Sequence, residues 1–248
     1  MSGWEQLAVF AAGMAAGAIN AVVGSGTLIT FPVLLAVGYP PVVANVSNTV
    51  GLVPGSASGA YGYRRELAGQ RERILRLGVG SLLGGLTGGV LLLVLPERAF
   101  KTIVPALIGL ACVLVLIQPA LTRRLAERRA EVPAHGGPWL VSFVYLAGIY
   151  GGYFGAAQGV LLIAILGLGL SESLQRINAA KNLLAGMVNL VAAVLFILVA
   201  DVAWHPALLI AAGSTLGGQI GATVGRRLPA VALRLIIVVV GATAITRL

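Results

Sequence analysis

From Gln6 to Tyr63 the chain carries no charged side chain, a run of 58 residues, whereas about 20 apolar residues suffice for one helix across a hydrocarbon core. This stretch must enter or cross an apolar phase more than once. Further uncharged runs are Leu77–Pro96, Thr102–Thr122, Trp139–Ser171, Asn182–Ala200 and Pro206–Gly225, with a last apolar segment from about Leu233 to Ile245. None shows the period-2 alternation of a barrel strand, and a lone lipid-exposed strand would leave its backbone groups unsatisfied. The pattern predicts an all-α integral membrane protein of about eight hydrophobic segments.

Two places interrupt the apolar pattern in the same way. Gly24-Ser25-Gly26-Thr27 divides the first segment into about 17 residues before it and about 10 after it, the second part too short to span alone. The stretch Gly151-Gly152-Tyr153-Phe154-Gly155-Ala156-Ala157-Gln158-Gly159 divides Trp139–Ser171 likewise. Both predict a broken helix with a short second arm, Thr27–Val37 and Val160–Leu170.

Sliding the chain on itself by 133 residues aligns Gly26 with Gly159, Leu28 with Leu161 and Asn45 with Asn178. The same offset lays Gly80–Gly88 on Gly213–Gly221 and Leu95-Pro96 on Leu228-Pro229 without a gap. Shared composition does not explain a constant register, so the chain reads as a duplication. Its hand follows from loop charge. Arg64 to Arg73 holds four arginines, while its counterpart around 196–206 holds none and carries Asp201. Opposite bias places the two loops on opposite membrane faces, as in an inverted repeat.

Inversion requires each half to cross an odd number of times although four apolar segments are visible in each. A re-entrant hairpin at each break resolves this. The expected organisation is repeat 1 over 1–117 (broken helix 7–37, helices 42–61, 74–95 and 100–117), a cytoplasmic basic linker over 118–138, and repeat 2 over 139–248 (broken helix 139–170, helices 178–199, 206–225 and 233–246). Loops 62–76, 118–138, 171–181 and 226–234 are then cytoplasmic and hold 14 of the 17 Lys+Arg, with a periplasmic N-terminus in a bacterial inner membrane. Eight plain spans are the alternative, and they divide the charges more evenly.

Composition agrees: 10% charged and 58% hydrophobic residues, with mean hydropathy +0.96, exclude an ordinary soluble domain, which carries about 25% charge. The formal +9 comes from arginines bunched between apolar runs, the signature of cytoplasmic loops and not of a nucleic-acid binder. Cys112 is the single cysteine, so no disulfide or cysteine-ligated cluster forms within one chain. His135 and His205 lack ligand spacing, and neither a metal nor a cofactor is expected. There is no Ser/His/Asp grouping and no P-loop, which argues against an enzyme or a nucleotide-driven pump. Met1 to Glu5 lack the basic start of a secretory signal, so the first segment is expected to be retained.

Transporters built from inverted repeats bind near the midplane, where broken helices face one another. A half-helix start offers unpaired N–H groups and a positive dipole end, which suit an anion. Gly24, Gly26, Gly155 and Gly159 permit close approach, and Ser25, Thr27 and Gln158 add donors. Helix packing is the other reading of these glycines. A second polar cluster follows each half-helix: Asn45, Ser47, Asn48 and Thr49, then Asn178, Lys181 and Asn182. Asn45 with Asn48, and Asn178 with Lys181, share a helical face by i, i+3 spacing. Lys181 either attracts the anion or snorkels to the headgroups. Asn189 and Asn20 are weaker candidates.

All eight acidic residues fall in loops or at segment ends, so no carboxylate stands at membrane depth to relay protons. The rows Gly80-Gly84-Gly88 and Gly213-Gly217-Gly221-Gly225 predict close helix packing, within one chain or in a homodimer.

Gly24-Ser-Gly-Thr-Leu-Ile-Thr-Phe-Pro32, Ala44-Asn45-Val46-Ser47-Asn48-Thr49 and Tyr63-Arg64-Arg65-Glu66-Leu67, with Gly148–Gly159 and Arg176-Ile177-Asn178-Ala179-Ala180-Lys181-Asn182, resemble the TauE/SafE family of membrane transporters over nearly the whole chain. The resemblance implies export of sulfite, sulfoacetate or related sulfonates. Relatives carry a richer glycine run at the first break than Gly24-Ser25-Gly26, which implies a tighter or differently polar cradle here. The expected function is a secondary transporter working by alternating access, with a small anion and the lipid bilayer as its partners. Its rivals are an anion channel and a membrane assembly factor.

Overall fold

The computed structural model describes residues 1–127 and 136–223. The expected helix 233–246, the loop 226–234, the last residues of 206–225 and the linker residues 128–135 lie outside the described residues. Within them every regular element is helical: α1 (Gly3–Val22), α2 (Thr27–Ala36), α3 (Pro41–Gly62), α4 (Arg71–Val94), α5 (Glu97–Glu127), α6 (Pro138–Tyr153), α7 (Gln158–Gly169), α8 (Leu174–Val199) and α9 (Trp204–Thr223).

Local chemistry sets the ends. Ser2 and Glu5 form a reciprocal capping box on α1. Proline at the first turn starts α3 and α6, and the Ser173 side chain accepts from Arg176 N–H to cap α8. The two expected broken helices appear as α1–α2 and α6–α7. Helix starts fall up to four residues before the expected ones, and one end differs most: the helix expected to stop at 117 continues to Glu127, because Leu121-Thr-Arg-Arg-Leu-Ala-Glu127 is rich in helix formers.

The packing turns soluble-protein logic outward. On α4 the buried stripe is Gly80, Ser81, Gly84, Gly85, Gly88 and Gly89, while Leu75, Val79, Leu83 and Val90 are exposed. That is the pattern of a helix with lipid outside and a close neighbour inside. By length and composition α1, α4, α5 (over Glu97–Leu125) and α8 can each cross a membrane. Helix α3 is as long but carries Asn45, Ser47, Asn48 and Thr49 on its buried face.

The glycine rows find their partners inside the chain. A Cβ at Gly84 would strike the Tyr145 carbonyl, and one at Gly88 the Ile149 carbonyl, so α4 lies directly on α6. Gly213, Gly217 and Gly221 meet the carbonyls of Phe10, Met14 and Ala18 in turn, so α9 lies along α1 in parallel. Thus α1 packs on α9, α6 packs on α4, and α3 and α8 cross between them. At the start of α9, Ala203 N–H donates to Ser47 Oγ near the start of α3, 2.9 Å away. The beginnings of α1, α3 and α9 therefore share one face.

Candidate functional site where two helix breaks meet

The first break is built by its own side chains. Gly24 takes φ +87°, open to glycine and strained for other residues. Asn20 Oδ1, one turn back on α1, accepts the Gly26 N–H at 2.6 Å. Asn48 then ties α3 to the new half-helix, its Oδ1 accepting from Thr30 Oγ1 and its Nδ2 donating to Thr27 Oγ1 at 3.3 Å. In the second break Gly155 has φ +77° and Ala157 φ 58°, and the Phe154 and Gly155 N–H groups both donate to Tyr150 O at 3.0 Å.

The two breaks touch. Gly159 N–H donates to Gly24 O at 3.1 Å, and a Cβ on Gly159 would stand 2.5 Å from Gly24 Cα. Two of the half-helix N–H groups expected to face an anion, those of Gly26 and Gly159, are thus already bonded within the protein.

Both first arms end in carbonyls with no intrahelical partner, and side chains of α3 and α8 cap them. Asn45 Nδ2 donates to Tyr153 O at 3.0 Å, closing α6. On α1, Asn178 Nδ2 and Asn182 Nδ2 each donate to Ala21 O at 3.1 Å, and Lys181 Nζ donates to Asn20 O at 2.9 Å and Ala21 O at 3.4 Å. Lys181 is 0% exposed, so it does not snorkel to the headgroups; its ammonium rests on the negative dipole end of α1.

Around this junction lies a small cavity with about 30 Å³ of free space, room for about two waters. Of the expected residues, Gly24, Thr27, Gln158, Gly159, Lys181 and Asn182 line it, with Gly155 and the weaker candidates Asn20 and Asn189. Ser25, Gly26, Asn45, Ser47, Asn48, Thr49 and Asn178 are not on its wall. Thr49 Oγ1 bonds back to Asn45 O at 3.0 Å, Ser47 holds the α9 start, and Ser25 is buried with a hydroxyl that has no partner among the described residues. Gly55, Ser56, Gly59 and Ala185 also line the cavity and went unnoticed in the sequence, although the offset of 133 that pairs Asn45 with Asn178 also pairs Ser56 with Asn189. Lys181 is the sole charged residue among those on the wall, and Gln158 Nε2 is a buried donor with no partner among the described residues. The chemistry on offer is one cation and several donors, with no carboxylate among the described residues on the wall.

On the face where α4 begins, Glu172 accepts from Arg73 Nη1 at 3.0 Å and Arg176 Nε at 2.7 Å. Gln70 Nε2 donates to Arg176 O at 3.1 Å, and Arg176 Nη1 to Ala68 O at 3.0 Å. This clasp joins the α3–α4 loop to the α7–α8 loop. Partial burial alone would raise the Glu172 pKa, but hydrogen bonds and charge from Arg176 and Arg73 outweigh it and hold the carboxyl below its usual value.

Comparison with known proteins agrees with this helical, apolar architecture. The family profile described as "Sulfite exporter TauE/SafE" matches residues 9–248. The chain belongs to the TauE/SafE family of membrane transporters and is a multi-pass membrane protein. It is similar to a "Probable membrane transporter protein" of Haemophilus influenzae, 29% identical over 89% of this chain and 85% of the relative. Membrane transporter YfcA of Escherichia coli K12, also named as probable, is 27% identical over 86% and 78%, and ORF9 of Sinorhizobium sp is 28% identical over 86% and 80%. No solved structure matches.

Proposed function

We propose that this chain is a secondary transporter that exports small sulfur-containing anions, such as sulfite, sulfoacetate or related sulfonates, by alternating access across a bacterial inner membrane. The observation that carries this reading is Lys181, fully buried on the wall of the cavity where the two breaks meet, with the unpaired Gln158 Nε2 beside it. A buried ammonium in a chain without membrane-depth carboxylates suits a negative ligand. The narrow cavity favours a compact anion. An inside-negative potential assists its exit by about 2.3 kcal/mol per charge per 100 mV, so export needs no further coupling. The choice of sulfur rests on the family description.

The architecture proposed with it is an inverted repeat of 1–117 and 139–248 joined by the basic linker 118–138, each half a re-entrant broken helix followed by three spans. The swapped packing supports it, since α1 on α9 and α6 on α4 are the same pairing under the offset of 133. The return of the chain to one face supports the hairpin, because α1 and α3 both begin where α9 begins. Arginine-rich loops at the other face favour a periplasmic N-terminus. The glycine rows lie inside the chain, so a homodimer, where formed, uses another surface.

Uptake of radiolabelled sulfite and sulfoacetate into proteoliposomes tests the reading, with excess unlabelled anion on the far side. Saturable flux with counter-flow is expected, lost in Lys181→Met and kept in Arg64→Ala, whose arginine is exposed over the Tyr61 ring. Flux without saturation or counter-flow would make the protein a channel. No flux of either anion, or equal loss in both variants, would overturn the assignment.

A further inference from the structure

A second polar space lies beyond the junction. It has about 200 Å³ of free volume and is lined by Val22, Tyr63, Gln118, Thr122, Gln175 and Asn178 among others, between the ends of α1, α3 and α5 and the start of α8. It opens near the basic face, since Tyr63, Thr122 and Gln175 directly precede Arg64, Arg123 and Arg176. Gln118 is buried, at 5% exposed, and its Oε1 has no partner among the described residues. Asn178 Oδ1 is likewise buried and unpaired. Gln118 and Asn178, with Tyr63, Thr122 and Gln175, put polar side chains among the lining residues, and a polar space of this volume holds water. Only one layer separates this space from the central cavity: Asn178, on the wall of the first, donates at 3.1 Å to the carbonyl of Ala21, on the wall of the second.

The corresponding position in the other half is filled. Behind the Asn45 bond to Tyr153 O stand Phe31, Phe100 and Phe154, with ring centroids 5.2 Å (Phe31 to Phe154), 6.2 Å (Phe100 to Phe154) and 6.3 Å (Phe31 to Phe100) apart. The offset of 133 places Ala164 against Phe31, Asn20 against Tyr153 and Ala21 against Phe154. Aromatic rings thus pack together on one side, where their counterparts are small or polar.

We propose that the second cavity is a hydrated vestibule through which the anion passes between the basic face and the central cavity, partitioned from it by the Asn178–Ala21 hydrogen bond, and that the aromatic cluster closes the opposite route. This rests on the transport reading above for its cargo, but the vestibule itself is testable without any substrate. In a Cys112→Ala background, Gln118→Cys, Thr122→Cys and Gln175→Cys are exposed to a membrane-impermeant methanethiosulfonate in inverted vesicles and in spheroplasts. Val113→Cys, on the exposed side of α5, is the control. At least two of the three are expected to react about tenfold faster in inverted vesicles than in spheroplasts, and tenfold faster than the control. Reaction at the control rate, or faster reaction in spheroplasts, overturns the vestibule. Sulfoacetate uptake is then measured on labelled and unlabelled Gln118→Cys. A labelled protein that transports at the unlabelled rate overturns the route. A protein that carries neither anion yet shows the labelling pattern overturns the substrate and leaves the vestibule standing.

Discussion

Asn189 Nδ2 donates to Ser56 Oγ at 3.2 Å, and the two residues stand 133 positions apart, the same offset that aligns Gly26 with Gly159 and Asn45 with Asn178. The bond lies at the crossing of α3 and α8 and on the wall of the central cavity.

The pair should therefore be coupled, and exchangeable. Ser56→Asn alone crowds two carboxamides at the α3–α8 crossing, and Asn189→Ser alone leaves the Ser56 hydroxyl without its donor. The exchanged double variant restores the bond in mirror position. A double-mutant cycle by thermal unfolding in detergent is expected to give about 0.5–1.5 kcal/mol of coupling, the double variant lying closer to wild type than either single one. Additive effects would show that the bond is incidental.

Gly59→Ala separates stability from function. A Cβ at Gly59 meets only Ala21, with Cβ 3.6 Å away, an ordinary contact, and alanine favours a helix interior over glycine by about 1 kcal/mol. The added methyl stands on the wall of the cavity. Unfolding temperature should hold or rise while anion uptake falls several-fold. Unchanged uptake would mean that the cavity does not carry the anion.

Much of this arrangement is legible in the sequence, because span length, glycine breaks and the constant offset are local signals. Both glycine stretches interrupt helices, with Gly24 and Gly155 in the left-handed region, although the second half-helix begins at Gln158 and not at the expected Val160. What the sequence does not distinguish is a polar residue that lines the cavity from one that builds its wall. Asn48 and Lys181 are counterparts under the offset of 133, yet Asn48 is consumed by Thr27 and Thr30 while Lys181 reaches the cavity. The difference lies in which neighbours offer hydroxyls, a question of tertiary contact. Extension of α5 to Glu127 was hidden for another reason: hydropathy ends where charge begins, but helical hydrogen bonding does not.

Gly24→Ala and Gly38→Ala form a matched pair. Both glycines have positive φ, +87° and +99°, and either substitution meets backbone strain of about 1–2 kcal/mol. At Gly38 nothing lies within 4 Å of a new Cβ, whereas at Gly24 it would collide with the Gly159 backbone. Gly38→Ala should accumulate in membranes and transport nearly normally. Gly24→Ala should force the breaks apart, with lost uptake and a lower unfolding temperature. Similar behaviour of the two variants would show that the contact between breaks is dispensable.

The Glu172 clasp predicts a pH dependence of defined sign. Its carboxyl is held below the usual value in the folded protein, so its stabilisation is complete above the unfolded glutamate value of about 4.3 and is lost as pH falls through the lower folded value. Because the pair is partly solvated, with side-chain exposures of 9% for Arg73 and 20% for Glu172, removing the carboxylate should cost about 1–2 kcal/mol, between the surface and buried limits. Glu172→Gln is expected to unfold at a lower temperature than wild type at pH 7, with the gap closing on acidification as the wild-type carboxyl takes up its proton. Arg176→Gln should lose only part of the same increment, since Arg73 still holds one carboxylate oxygen. A gap between wild type and Glu172→Gln that stays constant down to the acid limit would mean that the stabilisation is not ionic, and the bonds from Gln70 Nε2 to Arg176 O and from Arg176 Nη1 to Ala68 O would then carry the join between the two loops.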